Sequence, residues 1–237
     1  MDTIFAHRGA SFEAPENTIP AFQLALQQGC KAIELDVHLT IDQEIVVCHD
    51  DHIDRTTDGT GLIKEQTLNA LKQRDAGSWF SSEYKGTRIP TLAEILALID
   101  KDVLLNIEIK NIPYFHKGIE QKLVSLLERY GFEDNIIISS FDHQALKTVQ
   151  NIKPSLKKGV LLKNYLISPW EYIQRCDLDA YSIHPLYTFI DQAFVQDCHQ
   201  AGLKIYPYTV DDRKTYQHFE TLGVDGIFTN IPSRFMG

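Results

Sequence analysis

From Val103 to Thr229 the chain repeats one unit: a short apolar run, a polar junction, then an amphipathic segment. The runs Val103 to Lys110, Ile136 to Ser140, Lys158 to Leu162, Ala180 to His184, Lys204 to Thr209 and Asp225 to Thr229 are short and mostly apolar, and they predict strands. Ile136-Ile137-Ile138 is apolar without alternation, as a strand buried on both faces requires. Helices are predicted between these runs. One spans Gly118 to Tyr130 and closes at Gly131. One starts at Asp142 and reaches about Ile152. Another opens on Ser168-Pro169-Trp170-Glu171, which has capping-box spacing. The last two span Asp191 to Ala201 and Asp212 to Leu222, closed by Gly202 and Gly223. Upstream, Ile4 to Arg8 and Ala32 to Thr40 add two strands. They flank a helix carrying Phe22, Leu24, Ala25 and Leu26, which Asn17 or Thr18 can cap, Pro20 suits and Gly29 ends. Eight strands interleaved with helices in 237 residues predict an α/β fold of the (β/α)8 barrel type. A doubly wound open sheet is the alternative, but no Gly-x-Gly-x-x-Gly or phosphate-loop sequence follows any strand.

The second strand has a companion. Glu44 to Asp50 is a further extended run, and only a few residues near Ile41 to Gln43 separate it from Thr40. A parallel pair needs a crossover of a dozen residues or more, so the two arms pair antiparallel. Position 36 then falls opposite position 48 or 49, and His49 folds back over Asp36. Period-two geometry puts Glu34 on the same face as Asp36. Two carboxylates and an imidazole converge through local geometry alone.

Residues 51 to 90 interrupt the rhythm with Asp54-Arg55-Thr56-Thr57-Asp58-Gly59-Thr60-Gly61, Gly77-Ser78-Trp79-Phe80 and Gly86. They are expected to form a small loop-rich insertion over one end of a single domain spanning 1–237. Thr91-Leu92-Ala93-Glu94 then has capping-box spacing and opens a helix through about Ile99.

The net charge of −9 disfavours nucleic acid and anionic membranes as partners, and any phosphate chemistry needs local cations to offset it. No apolar stretch reaches membrane-spanning length, so no membrane insertion is expected. Cys30, Cys48, Cys176 and Cys198 are scattered, which fits free thiols, and no signal peptide is evident at the N-terminus. Both features point to a cytoplasmic protein and leave its oligomeric state open.

Barrel chemistry sits at the C-terminal ends of the strands. Those ends carry His7 and Arg8, Glu34 and Asp36, Glu108 and Lys110, Phe141, His184 and Tyr208. Glu34, Asp36 and Glu108 would repel one another and raise each other's pKa unless a cation or a neighbouring base offset them. An all-oxygen set suits Mg²⁺ or Ca²⁺. The other reading is a structural ion pair with Arg8 or Lys110. His7 and His49 titrate near neutrality and are candidates for acid and base. Arg8 and Lys110 could hold a phosphate or only balance the carboxylates. Phe141 and Tyr208 complete the candidate substrate-binding set. His184 reads equally as a satisfied rim residue, and His38, His52, His116, His143, His199 and His218 as surface residues.

At these positions the chain resembles the glycerophosphodiester phosphodiesterase family, in its bacterial cytosolic form. The matching segments are His7-Arg8-Gly9, Pro15-Glu16-Asn17-Thr18, Glu34-Leu35-Asp36-Val37, His49-Asp50, Arg55 to Gly61, Ile89-Pro90-Thr91-Leu92, Ile107-Glu108-Ile109-Lys110, Ser139-Ser140-Phe141 and Asp225 to Pro232, in family order. The resemblance implies a (β/α)8 barrel with a small subdomain inserted after His49. It also implies one divalent metal on Glu34, Asp36 and Glu108, His7 and His49 as the acid–base pair, and Arg8 and Lys110 near the phosphate. Tyr208-Thr209-Val210-Asp211 departs from the pattern, since similar members often have tryptophan and asparagine there; altered packing on the alcohol side is expected.

The expected activity is metal-dependent hydrolysis of deacylated phospholipids to glycerol 3-phosphate and an alcohol. The substrate's own neighbouring hydroxyl, or water, would be the nucleophile. One alternative is an enzyme acting on intact lysophospholipids, for which Trp79, Phe80 and Phe141 offer a weak apolar entry. The other is a non-catalytic barrel that only binds glycerophosphodiesters.

Overall fold

The computed structural model describes residues 1, 3–132 and 134–236. Its first strand, β1 (Thr3–His7), is followed by helix α1 (Ile19–Gln27) and the hairpin β2 (Ala32–Leu39) and β3 (Ile45–Val47). A one-turn helix α2 (Leu68–Leu71) lies in the insertion, and α3 (Leu92–Leu98) follows it. The regular part then runs β4 (Leu104–Ile109), α4 (Ile119–Tyr130), β5 (Ile136–Ser140), α5 (His143–Ile152), β6 (Lys157–Leu162) and α6 (Pro169–Arg175). It ends with β7 (Ser182–Pro185), α7 (Gln192–Gln200), β8 (Lys204–Ile205), α8 (Arg213–Leu222) and β9 (Gly226–Thr229).

Eight strands lie parallel in the order β8-β7-β6-β5-β4-β2-β1-β9, with β3 antiparallel on β2. This is the expected (β/α)8 barrel with the hairpin arm added. The expected strand from Lys204 to Thr209 keeps only two ladder residues, because Pro207 has no N–H to donate. The seam between β8 and β9 is closed instead by three backbone hydrogen bonds. Asp225 N–H reaches Ile205 O (3.2 Å), Phe228 N–H reaches Pro207 O (2.9 Å) and Val210 N–H reaches Phe228 O (2.9 Å).

The side-chain caps expected from the sequence form, except at α1 and α6. Thr91 and Glu94 form the expected capping box on α3. Asp142, Asp191 and Asp212 accept from the first turns of α5, α7 and α8. Ser168, in contrast, sits in the left-handed region at φ 49° and makes no side-chain cap. Neither candidate caps α1 with its side chain: Thr18 donates to Pro15 O (2.5 Å), and Asn17 turns away to Asp36.

All eight residues of β2 and all five of β5 are buried. Residues 51–90 carry their own small core, with Ile53, Ile63, Leu71, Ala76 and Ile89 packed on Val46 and Cys48 of the hairpin. Inside the barrel, Phe5 stacks on Phe228 (4.6 Å between ring centres) and meets Tyr206 edge-on (5.1 Å). His184 belongs to this cluster and not to the rim. It is fully buried, 5.0 Å from the Phe228 ring, and paired with Ser182 Oγ at 2.8 Å. Burial lowers its pKa to about 3, so it is a neutral core residue.

The space for His184 is provided by Gly159 on β6, where an added Cβ would lie 2.5 Å from the imidazole Cε1. Gly159→Ala is therefore expected to lower unfolding stability by about 1–3 kcal/mol through overpacking. Chemical denaturation measures it, and an unchanged midpoint would show that the ring can move aside. The four cysteines are free. Among the described residues, no helix is long and apolar enough to cross a membrane.

Candidate active site

The barrel register brings the three predicted carboxylates together. Asp36 on β2 is directly opposite Glu108 on β4, and Glu34 is opposite His7 on β1. One oxygen from each of Glu34, Asp36 and Glu108 lies within 4.8 Å of the others, and all three residues are buried. Burial raises the Glu34 pKa well above its ordinary value, and repulsion from Asp36 and Glu108 adds to the effect. Burial also raises Glu108, partly offset by Lys110. Asp36 is held low despite its burial by Lys110, His49 and Arg8. Two oxygens, Glu34 Oε1 and Asp36 Oδ1, are buried without a hydrogen-bond partner. Buried acceptors left unmatched are costly, and a hard cation would satisfy both the repulsion and the bare lone pairs.

Both predicted cations face this cluster. Lys110 Nζ donates to Glu108 Oε1 (2.7 Å) and lies 3.5 Å from Asp36 Oδ1. Arg8 stands at φ 59°, its backbone N–H on Glu34 Oε2 (2.9 Å), its Nε 3.5 Å from Asp36 and its Nη1 on Glu16 (3.0 Å).

The two histidines have unlike partners. His7 Nδ1 donates to the Asn230 carbonyl oxygen (2.7 Å), and its Nε2 lies 3.9 Å from Glu34 Oε2. Burial, then Arg8, lowers its pKa to about 4. His49 follows the hairpin as expected, since Cys48 N–H bonds Asp36 O. Its Nδ1 donates to the Asp50 carboxylate (2.6 Å). Arg55 then grips Asp50 (2.6 Å) and pairs doubly with Glu16 (2.8 Å each), which also holds Arg8. One ionic chain thus ties the insertion to both the His49 and the Arg8 sides of the site.

Three comparisons bear on this constellation. A family model for the glycerophosphoryl diester phosphodiesterase family matches residues 7–234. The chain belongs to that family. It is similar to a glycerophosphodiester phosphodiesterase of Caldanaerobacter subterraneus subsp. tengcongensis, 46% identical over 97% of this chain and 94% of that one. It is also similar to one of Bacillus altitudinis, 37% identical over 99% and 96%. Among solved structures it resembles an Oleispira antarctica phosphodiesterase in complex with its product, sn-glycerol-3-phosphate. That likeness has a TM-score of 0.91 and 34% identity over 99% of this chain and 95% of that one.

The two remaining candidates are aromatic and touch each other. Phe141 and Tyr208 meet edge to face at 6.1 Å. The Tyr208 hydroxyl is spent on Leu162 O (2.9 Å), so this residue offers a ring and not a donor. Two histidines expected at the surface are buried. His38 Nε2 bonds His49 O (3.2 Å) and its Nδ1 pairs with His116 Nε2 (3.0 Å), so the pair braces the His49 backbone. Sequence reasoning read Asn17, whose Nδ2 donates to Asp36 Oδ2 (2.8 Å), only as a helix cap, and gave no individual role to Glu16, Asp50, Arg55 and Asn230. All five stand inside the family segments, which was the one available signal.

Proposed function

We propose that the protein hydrolyses glycerophosphodiesters such as glycerophosphocholine or glycerophosphoethanolamine to glycerol 3-phosphate and the free alcohol. In this reading one divalent cation, Mg²⁺ or Ca²⁺, is held by Glu34, Asp36 and Glu108. The observation that carries it is the buried three-carboxylate cluster, with two oxygens that accept no hydrogen bond, standing beside His7 and at the root of the hairpin arm that leads to His49. A hard cation bound there supplies Lewis-acid charge to the phosphoryl oxygens.

The chain's own residues do the rest. The three carboxylates outnumber the two cations, Arg8 and Lys110, that face them, a balance that would favour a bound divalent cation. Arg8 and Lys110 would orient the phosphate. His7, with an amide partner and Arg8 at its side, is neutral and accepts the proton of the attacking hydroxyl. His49, oriented by the hydrogen bond from its Nδ1 to the Asp50 carboxylate, protonates the departing alcohol. The hydroxyl beside the phosphoester has the high effective concentration of an intramolecular nucleophile, so a cyclic glycerol phosphate forms first. Water then opens it, with the imidazoles exchanging roles. Phe141 and Tyr208 pack on the substrate. Residues 51–90, read as an insertion within one barrel domain, shape the alcohol side.

A second reading, hydrolysis of intact lysophospholipids, draws on exposed apolar side chains in the loops after β4 and β6: Ile112, Phe115, Tyr165 and Ile167. A coupled assay for glycerol 3-phosphate separates the readings. Turnover of glycerophosphocholine that chelation removes and Mg²⁺ or Ca²⁺ restores is the expected result. Choline release from lysophosphatidylcholine alone would favour the second reading. Full turnover after exhaustive chelation would overturn the metal assignment. A substrate analogue without the neighbouring hydroxyl should compete yet stay intact, and its hydrolysis would make water the direct nucleophile.

A further inference from the structure

We propose that Asp211 is a positioning residue for the reaction: through the Asn230 amide it sets which imidazole nitrogen of His7 carries the proton. The inference rests on His7 being the base, as argued above.

The hydrogen bonds form a single directed chain. Asp211 Oδ1 accepts the Asn230 backbone N–H (2.8 Å) and the Thr229 hydroxyl (3.0 Å). Its Oδ2 accepts the Asn230 side-chain NH2 (2.7 Å). A carboxylate can only accept, so the amide end facing it must be the NH2 and the other end the carbonyl. The Ser11 hydroxyl donates chiefly to His7 O (2.7 Å) and lies 3.1 Å from that carbonyl oxygen. His7 Nδ1, at 2.7 Å, must therefore carry the hydrogen, and Nε2 is left with its lone pair on the Glu34 side. Only this tautomer presents a base to the site. The relay joins residues 7, 211 and 230, which come from the ends of β1, β8 and β9, across the seam where the sheet ladder is incomplete. Asp211 could thus act merely as a staple on the seam, and the test has to separate the two roles.

Asp211→Asn does so because it is isosteric. The Asn230 backbone N–H cannot become an acceptor, so the new side chain must keep its carbonyl oxygen there. Its NH2 then falls where Oδ2 was, facing Asn230. The Asn230 amide turns over, its NH2 meets His7 Nδ1, and the imidazole proton moves to Nε2. In a hydrolytic triad the corresponding Asp→Asn change leaves geometry intact and lowers turnover about 10⁴-fold through the wrong tautomer. The intervening amide softens the effect here, and kcat is expected to fall about 10- to 1,000-fold with KM little changed. The double variant Asp211→Asn with Asn230→Asp restores the order: the carboxylate at 230 accepts from the amide at 211 and from His7 Nδ1–H.

The readouts are kcat and KM, the thermal unfolding midpoint, and the His7 tautomer from ¹⁵N spectra of histidine-labelled protein at neutral pH. The expected pattern is Nδ1–H in the parent, Nε2–H in Asp211→Asn, and recovery of both tautomer and kcat in the double variant. An Nε2–H parent would overturn the proposal. So would a single variant that keeps Nδ1–H and full turnover, or activity that follows only the folded fraction in both variants. If His7→Ala retains turnover while the tautomers shift as expected, the relay stands and the assignment of His7 as base fails.

Discussion

His7→Ala and His49→Ala are each expected to lower kcat by about 10²- to 10⁴-fold, the usual contribution of a positioned acid or base, with the fold retained. The two losses have different origins. His7 is lowered to a pKa of about 4 by burial and by Arg8, so it is neutral at neutral pH and ready to take a proton. His49 is about a third exposed and donates to Asp50, a carboxylate itself lowered to about 2, mainly because Arg55 and His49 outweigh its burial. Removing His49 should therefore hurt substrates with poor leaving groups most, since protonation matters most there. An activated ester that leaves without a proton should recover much of the lost rate in His49→Ala and little in His7→Ala. Equal recovery in both would undo the assignment of roles. Comparable unfolding midpoints are expected for His49→Ala and its parent, because the lost side chain is partly solvated.

Glu34→Gln is expected to raise the thermal stability of the metal-free protein and to abolish its response to metal. Burial and repulsion from Asp36 and Glu108 raise the Glu34 pKa well above its ordinary 4.5. The native state therefore holds that proton more tightly than the unfolded chain does. By linkage, Glu34's contribution to metal-free stability improves as the pH falls through its raised native pKa, and is complete near the unfolded value. A neutral isostere removes the repulsion at every pH, so the variant should be the more stable apoprotein at neutral pH, and its stability should vary less with pH. If the cluster binds metal as proposed, the parent is expected to gain about 2.7 kcal/mol from a cation at a hundredfold excess over Kd, roughly 5–10 °C in Tm for a chain of this size. Differential scanning calorimetry with and without Mg²⁺ or Ca²⁺ reads both effects without an activity assay. A metal-induced shift of parental size in Glu34→Gln would remove Glu34 from the metal site. A less stable apoprotein would make it a structural partner of the Arg8 backbone N–H.

What the sequence by itself determined is local. Strand and helix identity, the Thr91–Glu94 box, the Asp142, Asp191 and Asp212 caps and the placing of Glu34 with Asp36 depend on hydrogen bonds and side-chain periodicities spanning a few residues. The hairpin register that carries His49 back to Asp36 is of the same kind, because a short turn leaves the two arms one way to pair. The fold class followed from counting such units. The tertiary structure alone decided which partner each polar side chain took. Asn17 has the composition of an N-cap yet serves Asp36, 19 positions away, because its left-handed backbone (φ 56°) turns the amide inward. His38 and His116 look like surface residues in a polar context, and become a buried pair only once β2 and the loop after β4 lie side by side. His184 sits at a strand end but faces the barrel axis, where Gly159 leaves room for its ring. Asn230, held by Asp211, reaches His7 across 223 residues of chain, over a distance at which residue spacing carries no geometric information. Hydrogen-bond donors and acceptors are matched in space, so the partners of a polar group are set where the chain has already folded, and only the packed barrel brings these together.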